Sequence, residues 1–63
     1  MFTKRIGNHV VRVMKNAASG RYIVTTGVVI LGSVHTTSTN VLEADQEQEA
    51  YEMANWLVAE IEA

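Results

Sequence analysis

Arg21-Tyr22-Ile23-Val24-Thr25-Thr26-Gly27-Val28-Val29-Ile30-Leu31 is the stretch on which the fold turns. It is rich in β-branched residues, which suit a pleated surface, and its apolar side chains fall at both odd and even positions. A half-exposed antiparallel strand alternates, whereas one that is apolar on both sides reads as covered twice. Turn signals bound it. Before it, Ala17-Ala18-Ser19-Gly20 makes a four-residue loop in which Gly20 suits a left-handed position. After it, Gly32-Ser33 places Gly at the first central position of a type II′ turn.

Working outward, Gly7-Asn8 between Ile6 and His9 is a two-residue hairpin pair. The expected strands are therefore 2–6, 9–16, 21–31 and 34–43. A helix follows, with Asp45 as its cap, Gln48 three residues on in capping-box spacing, and no breaker before the end. At 100° per residue, Ala50, Met53, Ala54, Leu57, Val58 and Ile61 form one apolar stripe. The reading is a single small α+β domain over 1–63, a four-stranded antiparallel β-meander with one C-terminal amphipathic helix packed on one face.

Tight hairpins set register, and register sets faces. Phe2 is expected opposite Val13, Val13 opposite Val24, Val28 opposite Thr37 and Val24 opposite Val41. One face then gathers Phe2, Ile6, Val11, Val13, Tyr22, Val24, Val28, Ile30 and Val41, and the helix is expected there. The other gathers Val10, Met14, Ile23, Val29, Leu31, Val34 and Leu42, with Arg5, Arg12, Thr25, Thr36, Ser38 and Asn40 among them. A large apolar patch left open marks an interface, and a two-fold homodimer is the simplest way to bury it. Ile23, Val29, Leu31, Val34 and Met14 are the expected dimer contacts. The competing expectation is a bulge at Gly27, which would shift the register and leave that face less apolar.

Composition narrows the functional classes. The 63 residues hold no Cys and no Pro, which excludes a disulfide scaffold, a thiolate metal site and a cysteine nucleophile. Residues 22–42 carry no charge, but seven Ser/Thr with His35 and Asn40 interrupt them, so a strand is expected there rather than a membrane span. The N-terminus lacks the apolar core of a signal peptide, and a cytoplasmic protein with no membrane partner is expected. All five basic residues (Lys4, Arg5, Arg12, Lys15, Arg21) precede all seven acids (Glu43, Asp45, Glu47, Glu49, Glu52, Glu60, Glu62). Either the two sets neutralise each other within the fold, or the molecule offers one sign of charge to a partner.

Catalytic chemistry finds no constellation. His9 and His35 are expected on one face but two strands apart, roughly 10 Å, which is too far to share one ion. Ser19, Ser33 and Ser38 have no base nearby in sequence, and no phosphate loop or dinucleotide fingerprint is present. The expectation is no enzyme, no metal and no cofactor.

Binding is better supported. Trp56 falls about 140° from the centre of the helix stripe, beside Glu49, Glu52, Glu60 and Met53, on a helix without Lys or Arg. An off-stripe Trp is either an interface anchor or a lid folded over a sheet edge, and Trp is enriched at binding hot spots. The favoured expectation is a macromolecule-binding module, an inhibitor or adaptor that presents an acidic helix to a protein partner with a basic surface. The alternative is a nucleic-acid-binding dimer using Arg5 and Arg12 on the open sheet face. Five basic residues, an acidic helix and no aromatic on that face weigh against it.

Overall fold

The computed structural model describes all 63 residues. Strands β1 (Phe2–Ile6), β2 (His9–Lys15), β3 (Tyr22–Ile30) and β4 (Ser33–Leu42) form one antiparallel sheet in the order β1-β2-β3-β4, and helix α1 (Glu47–Glu62) packs on one face. The expected α+β meander is the fold. Asn16, Arg21, Leu31 and Glu43 lie outside the strands expected to hold them, and Ser33 opens β4. No helix is long and apolar enough to cross a membrane.

The first two hairpins pair as expected, with Phe2 opposite Val13, Ile6 opposite His9 and Val13 opposite Val24. Asn16 closes the second loop: its Oδ1 accepts from the Ala18 and Ser19 N–H groups at 2.9 and 3.1 Å.

The third hairpin differs. Ile30 pairs with Ser33, so the two turn residues are Leu31 and Gly32, not Gly32 and Ser33. Both have positive φ, 52° and 80°, the pattern of a type I′ turn whose twist matches the flanking strands. Leu31 is thus a fully exposed turn tip rather than a member of an apolar sheet face. The register also shifts between Thr26 and Gly27: Thr26 pairs with Ser38 and Gly27 with Thr36, leaving Thr37 as the extra residue. A Cβ on Gly27 would meet the His35 carbonyl oxygen at 2.9 Å and Val34 Cγ1 at 3.0 Å, so the close approach of β4 here needs glycine.

These two changes alter the faces. Val28 pairs with His35 instead of Thr37, and Val24 with Asn40 instead of Val41. Leu42, opposite Tyr22, enters the core, while Val41, opposite Ile23, moves to the open face and is 60% exposed. Ser38 and Asn40 come to the helix side with Leu42.

The core is small. Val11, Val13, Tyr22, Val24 and Leu42 from the sheet meet Ala50, Ala54 and Val58 from α1, with Phe2, Ile6, Tyr51, Met53, Leu57 and Ile61 packed at its margin. Alanines at the centre of the helix stripe let α1 lie close to the valines beneath it. Burying each of these side chains contributes on the order of 1–3 kcal/mol. The helix begins one residue later than a cap at Asp45 implies. Gln46 is the N-cap, without a side-chain bond to the first turn; its Oε1 accepts instead from the Glu43 N–H at 2.9 Å and stabilises the approach.

Candidate functional site

Three contacts orient α1. Tyr22 Oη donates to Glu47 Oε2 at 2.7 Å, Phe2 meets Tyr51 edge-to-face with centroids 6.3 Å apart, and Lys4 Nζ lies 3.5 Å from Glu62 Oε1. The helix therefore starts near the β3 and β4 ends and finishes over β1, with Tyr51 and Glu62 on the β1 flank. By helical spacing, Glu49, Met53, Trp56 and Glu60 occupy the opposite flank, toward β4.

Trp56 is 62% exposed. It is not a lid over the sheet. Met53 beside it is half-buried against the core, and Glu49, Glu52 and Glu60 are exposed. None of these three acids has a cationic partner; Glu52 Oε1 accepts only from Gln48 Nε2 at 3.0 Å. The two ion pairs of the fold, Lys4–Glu62 and Arg21–Glu43, use other acids and are well exposed. The basic and acidic thirds thus neutralise each other only in part.

Glu47 holds the Tyr22 hydroxyl. That hydrogen bond, then burial and the nearby carboxylate charge, raise the Tyr22 phenol above its ordinary pKa of 10.0, because ionisation would remove the donated proton. Lys15 Nζ sits 5.6 Å from the centre of the same ring.

The face without the helix carries Arg5 and Arg12 as diagonal neighbours across β1 and β2, and no acid on any strand. Arg5 Nε donates to the Gly7 carbonyl at 2.9 Å. Of the residues expected to form an apolar patch, Ile23 and Val29 are half-buried, and Met14 and Val34 are about two-fifths exposed. Leu31 is lost from this face to the turn and Leu42 to the core, while Val41 joins it and Ser38 and Asn40 leave it.

The β4 edge was not anticipated as a site. From Ser33 to Val41 every residue is exposed. Asn16 N–H donates to the Arg21 carbonyl at 2.9 Å and Val29 N–H to the Asn8 carbonyl at 2.7 Å. These bonds aim the odd-numbered residues of β3 at β2, so its even-numbered residues bond Ser33, His35, Ser38, Asn40 and Leu42 of β4. The main-chain groups of Val34, Thr36, Thr39 and Val41 then point away from the sheet. The sequence signal for this edge was the charge-free run 22–42.

His9 and His35 flank Val28 in one row, two strands apart as expected. No group of three or more His, Asp or Glu residues is placed to hold a metal ion, and no pocket opens on the surface. Compared with known protein families, curated proteins and solved structures, the chain matches none.

Proposed function

We propose that this protein is a non-catalytic binding module that docks the Trp56 flank of α1 onto a basic surface of a protein partner. The observation that carries this reading is an indole 62% exposed among three carboxylates without cationic partners. Trp supplies a large rigid contact with a polar edge, and the acids steer a cationic surface toward it. Occupying a basic site in this way makes an inhibitor or an adaptor.

The test is capture from an extract of the native host, quantified with the purified partner. Trp56→Ala should leave folding within about 0.5 kcal/mol of the unmodified protein and weaken the complex by about 2 kcal/mol or more. Glu49→Lys with Glu52→Lys should slow association and flatten its salt dependence. A complex indifferent to both sets of changes removes the proposal.

A second reading rests on Arg5 and Arg12, which share the open face without a neighbouring acid. There they would contact phosphates, and binding to DNA or RNA would fall steeply with salt. Titration of labelled DNA and RNA at low salt, repeated with both arginines changed to Ala, separates this reading from the first.

A further inference from the structure

We infer that two copies of this chain join through their β4 strands, antiparallel about a two-fold axis between Thr37 and Ser38, into one continuous eight-stranded sheet. The seam side chains lie on the face away from α1, whereas the Trp56 flank lies on the helix side.

The argument begins with a palindrome. Val34-His35-Thr36-Thr37-Ser38-Thr39-Asn40-Val41 reads Val, Thr, Thr, Val at its first, third, sixth and eighth positions. Turned against itself, Val34 faces Val41 of the second copy and Thr36 faces Thr39. These four residues are the ones whose main-chain N–H and C=O groups point outward, so hydrogen-bonding positions meet hydrogen-bonding positions.

They also share a side of the sheet. Val34 pairs with Val29, Thr36 with Gly27, Thr39 with Thr25 and Val41 with Ile23, all on the face away from α1. Val34 and Val41 are seven positions apart, so an unbroken strand would send them to opposite faces. The extra residue at Thr37 corrects the parity. Because the bulge falls at the same place in both copies, both Val34–Val41 pairs stay in phase on either side of the axis.

The occupant follows from this self-complementarity. A strand from an unrelated protein has no reason to match a palindrome, whereas a second copy matches it by symmetry. No charge lies between Ser33 and Leu42 to repel the second copy, and no proline removes a donor. Pairing would cover Val34 and Val41, which are 41% and 60% exposed in one chain.

Sedimentation of the unmodified protein across micromolar concentrations should give twice 7.0 kDa. Val41→Lys should weaken the dimer by about tenfold or more, because it removes both Val34–Val41 cross-strand pairs of the seam. Adding Val34→Glu to the same chain should restore association, since each introduced lysine would then face an introduced glutamate across the axis. Far-UV circular dichroism checks that each variant stays folded. In the unmodified dimer the Val34 and Val41 amides should resist hydrogen exchange, although they bond nothing within one chain. A monomer throughout the concentration range, or a dimer indifferent to Val41→Lys, overturns the inference. In the first case the edge is free for another protein's strand; in the second the copies meet elsewhere.

Discussion

The two edges of the sheet are built on opposite plans. β1 is five residues long, carries Lys4 and Arg5 in its middle, and lies beside the last turn of α1, where Lys4 meets Glu62. β4 is ten residues long, bears no charge, and is exposed from Ser33 to Val41. Short, charged edges discourage strand addition and long neutral ones invite it. The chain thus covers and charges one edge and leaves the other exposed and neutral. It also divides the energetics: the core lies under α1 at β1, β2, the start of β3 and the end of β4, while the far half of the β3–β4 hairpin rests on main-chain bonds and threonine hydroxyls. Thr26 Oγ1 there lies within reach of both Thr37 Oγ1 and Ser38 Oγ.

The sharpest way to break the comparison is to place one charge in each region. Val13→Asp puts a carboxylate at a fully buried site beneath α1 and should cost at least about 3–5 kcal/mol, comparable with the whole stability of a domain this small. Ser33→Asp puts the same group at the exposed start of β4 and should change stability by about 0.5 kcal/mol or less. Urea denaturation of the two variants measures the contrast, and equal losses would erase it.

Gly27→Ala probes the junction between the regions. The added methyl group meets the His35 carbonyl, which cannot move without disturbing the β3–β4 ladder, so a loss of about 1–3 kcal/mol is expected. The loss should be accompanied by faster amide exchange in β4 while the amides under α1 keep their protection. A variant as stable as the unmodified protein would show that the bulge relaxes freely.

Tyr22→Phe gives a smaller effect than Gly27→Ala and reads the covered region alone. Removing the bond to Glu47 should lower stability at neutral pH. Its pH dependence has a definite sign. The folded phenol titrates above 10.0, so its contribution is complete below pH 10.0 and is lost as the pH rises through the higher folded value. Thermal melts at rising alkaline pH should show the unmodified protein converging on Tyr22→Phe. A stability gap independent of pH would mean that the hydroxyl stabilises through packing only.

The covered region was the more legible of the two in the sequence. Gly7-Asn8 and the loop after Lys15 announce their turns, the strand pairing from Phe2 to Val24 follows from them, and the helix stripe follows from its spacing. Trp56 lies off the stripe by the same spacing and is exposed. The β3–β4 hairpin was legible only in outline. Its turn places Leu31 at positive φ, a conformation that leucine rarely takes, so Gly32 draws attention to the wrong pair of positions. The bulge depends on how closely two backbones approach at Gly27, which the residue type allows but does not require. From those two local facts the exchange of Val41 and Leu42 follows, and with it the outward pattern of β4. Asp45 fails as a cap for a similar reason, since Gln46 reaches the chain behind it instead.

The extra residue at Thr37 makes β4 behave like a reading frame of period two. Replacing letters in it is a missense change, and at the nine exposed positions most uncharged substitutions leave the fold of one chain intact. Inserting one letter is a frameshift, because every side chain beyond it exchanges sides and Leu42 leaves the core, whereas removing Thr37 closes the bulge and leaves Leu42 opposite Tyr22. Natural selection on this strand should therefore be strict about insertions and about Val34, Thr36, Thr39 and Val41, and lenient about the spelling of the other exposed positions.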